Sequence, residues 1–177
     1  MTHADIRIRP ASEADGPELL TLIQGAMAVY ARNSGITEPL ESQRETLTEL
    51  LQHLRTDHVL VAEHRGRLIG TVRLIRSEPD AAYFSRFAVQ TALQQTGVGK
   101  MLYQAAEAWL RSQGIRYIRL HTALTNRPLV NFYQARGFRL RETRTDRGYP
   151  RGLFEKDLAG GANGHDTARP DRLDKPD

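Results

Sequence analysis

The chain has 177 residues, a formal net charge of +4 and a sequence pI of about 9.7, and 40% of its residues are hydrophobic. That length suggests one domain able to bury its own core. There is no cysteine, which excludes disulfides, thiolate metal sites and a cysteine nucleophile, and fits a cytoplasmic protein. Met1 to Arg9 lacks the apolar core of a signal peptide, and no apolar run is long enough to span a membrane. The basic balance is mild and interspersed with acids, so it reads mainly as solubility. The six histidines show no metal-ligand spacing, so no metal is expected.

Ile6-Arg7-Ile8-Arg9 alternates apolar and charged and ends at Pro10, the pattern of a first strand. Ser12 or Asp15 caps a first helix, with Pro17 in its first turn and Leu19, Ile23, Ala26, Met27 and Tyr30 at helical spacing. A second helix is predicted from Glu41 to Arg55, with Leu47, Leu50, Leu51 and Leu54 on one face. Val59 to Ala62, Leu68 to Ile75 and Ala82 to Val89 read as three strands, with turns at His64 to Arg67 and Ser77 to Asp80. Val98 to Leu110 is an amphipathic helix that Gly114 stops. Tyr117 to Thr122 is the next strand, and Asn126 opens a helix that Gly137 closes. Phe138 to Thr143 and Leu153 to Leu158 are two final strands.

The resulting order, β-α-α-β-β-β-α-β-α-β-β, implies an α/β sandwich with a mixed sheet. Residues 1–158 form the expected domain. Residues 159–177, rich in Gly, Pro and charge, form an expected flexible tail.

Gln94-Gln95-Thr96-Gly97-Val98-Gly99-Lys100 lies between a strand and a helix start, where backbone N–H groups can hold a phosphate. A P-loop would need Gly at 94 and Ser or Thr at 101; the chain has Gln94 and Met101. A dinucleotide fingerprint would need Gly at 102, where Leu102 stands. What remains, Gln94-x-x-Gly97-x-Gly99, is also compatible with a plain turn and a closely packed helix start.

This stretch resembles the acyl-CoA-binding motif of the GNAT family of N-acetyltransferases. Asn126, Leu129, Val130, Phe132-Tyr133 and Gly137-Phe138 reproduce the family's later signature, on the expected element. The resemblance covers nearly the whole chain apart from the tail. It implies a three-layer GNAT-like sandwich whose mixed sheet is mostly antiparallel. It also implies acetyl-CoA as co-substrate.

By that resemblance, the amides from Gln94 to Lys100, including Gln95, Thr96, Gly97, Val98 and Gly99, receive the pyrophosphate, and the helix dipole adds attraction. Lys100 adds charge there or stands solvated. As in the family, the strand before the motif is expected to bend at a bulge; Phe87-Ala88-Val89 is the strand edge that then pairs with the pantetheine arm, and the Val89 amide polarises the thioester carbonyl. Tyr133, a phenol with pKa of roughly 10, protonates the departing thiolate. Its alternative is one half of a core aromatic pair with Phe132. Asn126 contacts the cofactor, caps its helix, or does both.

Relatives often carry Glu at the position of Ser85, which leaves the acceptor's base unnamed among water, Glu63, Glu142 and His121. They also often have Pro at the position of Thr91 and Gly at that of Gln95. The acceptor side is expected at Tyr30 to Glu41 and Thr143 to Leu153, with Glu38 and Glu41 as carboxylates that recognise a cation or stand exposed. Arg136, Arg139, Arg141, Arg144, Arg147 and Arg151 meet an acidic group or form a solvated sheet edge.

The implied activity is acetyl transfer to a primary amine, small or on a protein, by direct attack in a ternary complex. The alternative on the same fold is a non-catalytic acyl-CoA-binding regulatory module. Nucleic acid binding is a weaker rival, because the arginines lack a recognisable reading element. Relatives are often dimers, so a homodimer is one expected state.

Overall fold

The structure, a computed structural model, describes residues 5–160. β1 (Ile6–Pro10) leads through a 3-10 turn at Glu13–Asp15 into α1 (Gly16–Asn33); α2 (Glu41–Arg44) and α3 (Leu47–Thr56) follow. Then come β2 (His58–His64), β3 (Arg67–Glu78) and β4 (Ala81–Val89), a second 3-10 turn at Thr91–Leu93, and α4 (Val98–Ser112). β5 (Tyr117–Ala123), α5 (Arg127–Gln134), β6 (Arg139–Arg144) and β7 (Arg151–Asp157) complete the described elements. The strands form one sheet in the order β1-β2-β3-β4-β5-β7-β6, parallel only between β4 and β5. This is the mixed, mostly antiparallel α/β architecture expected. Residues 161–177, most of the expected tail, lie outside the described residues.

The second helix differs from expectation. One helix was predicted from Glu41 to Arg55, but the chain breaks at Glu45, whose ψ of 128° is not helical. Thr46 then caps α3: its hydroxyl accepts from the Glu49 amide, and the Glu49 carboxylate receives the Thr46 N–H at 2.7 Å. The cause is electrostatic as well as local. Glu45 turns inward, 6% exposed, to meet Arg73 of β3 at 2.7 Å. A continuous helix could not both carry Glu45 inward and keep Leu50 buried on the same face.

The sheet has one apolar core on each side. Leu19, Ile23 and Leu50 pack on Val59, Val61 and Leu68. On the other face Leu102, Tyr103, Ala106 and Leu110 of α4, with Val130 and Tyr133 of α5, pack on Val72, Phe84, Ile118 and Phe154. The helices therefore cover both faces of the sheet, giving three layers. α4 approaches β3 where Gly70 lies. A Cβ there would come within 2.7 Å of Leu102 Cδ1 and 3.2 Å of the Ala88 carbonyl oxygen.

Two irregularities shape the centre of the sheet. β4 pairs with β5 only from Ala81↔Tyr117 to Tyr83↔Arg119, after which the strands are no longer paired. On its other side β4 slips against β3: Thr71 pairs with Ala88 but Arg73 with Ser85, so Arg86 and Phe87 together oppose Val72. This is a β-bulge, with Arg86 in the left-handed region at φ 49°. The bulge turns β4 just where it leaves β5.

Gly70→Val should lower the unfolding free energy by about 1–3 kcal/mol, because α4 has no room to retreat from β3. Chemical denaturation of the purified protein measures it.

Candidate active site

The glycine turn is built by two left-handed residues. Gln95 takes φ 65° and Gly97, the N-cap of α4, takes φ 95°. The Thr96 hydroxyl holds the turn by donating to the Leu93 carbonyl. The Met101 N–H donates to the Gly97 carbonyl at 3.0 Å as α4 begins. The amides of Val98, Gly99 and Lys100 come before it and have no carbonyl within their own helix to bond. Gly99 is closely packed: a Cβ would sit 3.3 Å from Phe87 Cζ and 3.7 Å from Val89 Cγ2, so the Phe87 ring would have to give slightly. Gln94, Gln95, Thr96 and Lys100 are exposed on the rim.

Phe87-Ala88-Val89 starts within the bulge and continues along the stretch of β4 that β5 has left. The Gln90 N–H donates to the Ile69 carbonyl at 2.8 Å, toward β3. Strand alternation turns the preceding amide, Val89, to the opposite, open edge. The facing edge of β5 is open too. Leu124 donates toward β7, to Pro150, so the Ala123 amide faces the gap, where the Tyr30 hydroxyl accepts it at 2.7 Å. Tyr30 was expected only as part of the acceptor region; its phenol in the gap was not legible from helical spacing.

Tyr133 approaches the gap from the α5 side. Its ring packs against Phe84, Phe87 and Phe138, at centroid distances of 6.2, 6.3 and 5.5 Å. Burial raises its pKa above that of a free phenol, and Tyr30 and Tyr83 are close enough to add to the rise. The hydroxyl therefore stays protonated at neutral pH. Asn126 caps α5, its Oδ1 accepting from the Leu129 amide at 3.3 Å and its Nδ2 donating to Ser34 Oγ at 3.2 Å. It thus ties α5 to the end of α1.

The opposite face of the gap is polar. Ser85 is half-buried beside Arg73. The Tyr83 hydroxyl is 2.6 Å from His121 Nδ1. Burial and the arginines Arg151, Arg144 and Arg147 lower the His121 pKa to about 4, so the imidazole is neutral at pH 7. Its Nε2 is buried without a partner among the described residues. Of the other groups expected to remove a proton, Glu63 is held by Arg9 at 2.8 Å and Glu142 by Arg144 at 2.6 Å. Glu38 and Glu41 are exposed.

The arginine-rich run is mostly a solvated sheet edge: β6 is exposed throughout, Arg141 meets Glu155, and Arg144 meets Glu142. Arg136 is different. Its guanidinium lies 3.4 Å from the Phe132 ring centroid, at the border of an open groove of about 580 Å³ that also includes Lys100, Gln104 and Glu107. Lys100 makes this groove continuous with the glycine turn.

A sequence model of the acetyltransferase (GNAT) family matches residues 25–138. The chain belongs to the GNAT family. Solved GNAT-like structures agree in fold. The PaiA N-acetyltransferase of Thermoplasma acidophilum, in complex with coenzyme A, superposes with a TM-score of 0.77 at 22% identity, covering 89% of this chain and 100% of that one. Ard1 of Thermoplasma volcanium gives 0.69 at 20% identity, over 87% and 98% of the two chains. The ribosomal-protein-alanine N-acetyltransferase of Brucella melitensis gives 0.71 at 20%, over 86% and 99%. A search of curated proteins found no match to the sequence.

In this GNAT protein β4 runs from its unpaired edge toward the glycine turn, and Tyr133 packs on Phe84 and Phe87 of the same strand. The sequence motifs do not include three further groupings nearby in the sheet: Tyr30 on the Ala123 amide, Tyr83 on His121, and Arg73 and Arg86 around Glu45. Among the described residues no group of acidic or histidine side chains could hold a metal ion. No helix there is long and apolar enough to cross a membrane.

His121 should titrate with a midpoint near 4 in the folded protein, against about 6.5 unfolded. Between those values the unfolded chain binds more protons, so this residue makes stability fall as pH drops from about 6.5 to about 4. Imidazole NMR shifts followed against pH give the midpoint, and denaturation across the same window checks the sign.

Proposed function

We propose that the protein is an acetyl-CoA-dependent N-acetyltransferase that acts on a primary amine by direct attack in a ternary complex. The observation that carries this reading is the parting of β4 from β5 directly in front of the glycine turn, with Tyr133 beneath the gap. The amides of Val98, Gly99 and Lys100 receive the pyrophosphate at the positive end of α4. The groove beside Lys100 and Arg136 takes the nucleotide end. The pantetheine arm lies along Phe87-Ala88-Val89 like an added strand, and the Val89 N–H points at the thioester oxygen. Asn126 positions α5 at the cofactor through its cap and its bond to Ser34.

The amine nitrogen forms its bond to the thioester carbon, and the C–S bond breaks. Tyr133 gives its proton to the leaving sulfur, and its phenolate regains one through water from the proton that the amine loses. Proton loss from nitrogen is the step for which this chain has no strong base. Ser85 is a hydroxyl, and an imidazole with a pKa near 4 cannot deprotonate an ammonium of pKa roughly 10. The acceptor therefore reacts from its free-amine fraction and loses its second proton only after attack, to water or to His121.

Tyr133→Phe should lower kcat by about 10²–10⁴-fold and leave acetyl-CoA affinity unchanged. Thiol release with a panel of amines measures the first, and calorimetry the second. Acetyl-CoA binding without amine-dependent thiol release would instead support a binding module.

Log kcat/KM should climb with a slope of about one up to the acceptor's own pKa. No falling limb should appear below pH 10, because Tyr133 stays protonated there. A plateau beginning near neutral pH would mean that the protein does supply a base.

A further inference from the structure

Arg73 of β3 and Arg86 of β4 stand together around Glu45. Arg73, 2% exposed, donates from Nη1 to Glu45 Oε1 at 2.7 Å. Its Nε and Nη2 are buried with no hydrogen-bond partner among the described residues. Arg86 Nε stands 3.5 Å from Glu45 Oε2, too far for a good hydrogen bond, and is also buried without one. Two guanidiniums thus share one buried carboxylate. The surrounding charges do not cancel the excess. Glu41 is exposed and contributes least among the charges acting on Arg86, and Arg147 and Arg151 act on neighbouring Tyr83.

A protein does not ordinarily leave several N–H groups of buried arginines unused, because each costs desolvation without return. The backbone makes the same point. Arg86 occupies a left-handed conformation that costs a non-glycine residue about 1–3 kcal/mol, and such strain collects at functional positions. The bulge places Arg86 next to Phe87-Ala88-Val89. At about 3.3 Å per residue, the Arg86 and Ala88 backbones are separated by roughly 6–7 Å.

We infer that the amine acceptor carries a carboxylate, which docks on Arg73 and Arg86 while its amine faces the open edge of β4. The acceptor class is a small amino acid or a close relative in which amine and carboxylate lie a few bonds apart. A planar oxyanion can take two N–H groups of one guanidinium at once, and Arg73 Nε and Nη2 both lack a partner among the described residues. Glu45 holds both guanidiniums in place and neutralises only one of them. This inference rests on the acetyl-transfer reading for the role of the amine, but not for the carboxylate site itself.

The test is therefore a binding measurement. The protein saturated with CoA is titrated calorimetrically with common amino acids, with the primary amide of each, and with 1,4-diaminobutane. At least one amino acid should bind tenfold or more tightly than its amide and than the diamine. Arg86→Asn tolerates the left-handed backbone and removes the charge, so it should abolish that preference in a protein that still unfolds cooperatively and still binds CoA. Arg86→Lys should retain part of it. The inference is overturned if no amino acid in the panel binds, if amides or the diamine bind as well, or if Arg86→Asn leaves the preference intact. Thiol release with acetyl-CoA is followed separately. Carboxylate-dependent binding without turnover would count against acetyl transfer, whereas turnover of amines without any carboxylate preference would count against this inference alone.

Discussion

β5 is held along its whole length by β7, from Tyr117↔Asp157 to Ala123↔Arg151, and cannot follow β4 when β4 turns away. β4 turns because two of its residues, Arg86 and Phe87, must face one residue of β3. The outcome is a wedge between two strands whose backbone polar groups lack each other as partners. Unpaired buried amides and carbonyls are costly, and an extended molecule with amide groups of its own can satisfy them. The wedge is filled only in part by the protein. Tyr30 takes the Ala123 amide, and Tyr83 reaches His121 across the gap. The placement of the glycine turn follows from the same geometry, since β4 leads straight into the turn and α4 leaves from it.

The Glu45–Arg73–Arg86 cluster is the second determinant, and it is expensive. Taking such charges out of water costs several kcal/mol per ion, and one ion pair rarely returns the whole cost. Yet it fixes three things together. It ends α2, starts α3 one residue later, and holds the bulged strand against the α1–α3 layer. A well-packed apolar trio could do the structural part. The retention of charge here, with donors to spare, is a reason to look for a ligand rather than for stability.

Much of this was legible because its causes are local. Gly97 and Gly99 announce a left-handed turn and a close approach within a few residues. Asn126 and Pro128 mark a helix start, and the spacing of Leu102, Ala106 and Leu110 gives the buried face of α4. Tyr133 became readable through its register with Asn126 and Gly137-Phe138. The break at Glu45 had a signal too, in Thr46-x-x-Glu49, but the leucines on either side continue one periodicity and hid it. The bulge left no such local trace and was expected only from the family resemblance. Arg86 is neither Gly nor Asn, and its conformation follows from pairing with β3, a relation between strands. Arg73 looked like an ordinary polar residue of β3, because its partner lies 28 positions away. Gln95 is similar, a non-glycine residue at φ 65° where composition alone suggests no unusual backbone.

The two faces of the wedge also differ in dielectric character, and the proposed chemistry needs that difference. Phe84, Phe87, Phe132 and Phe138 surround Tyr133 and disfavour its phenolate, so Tyr133 stands as a neutral donor beside the leaving sulfur. Thiolate is the weaker base, so proton transfer accompanies C–S cleavage and is completed when the amine's lost proton returns to the phenolate; the neutral thiol suits the apolar side. The attacking amine gains positive charge as its bond to carbon forms and needs the polar side. There the field of Arg73, Arg86, Arg147 and Arg151 would repel a bare ammonium. A carboxylate on the same acceptor offsets this field, delivering the amine as part of a molecule whose negative end is bound. The arginines that make the site unfavourable for a simple polycation thus make it favourable for a zwitterion, and they oppose the protonated, unreactive form of its amine most strongly.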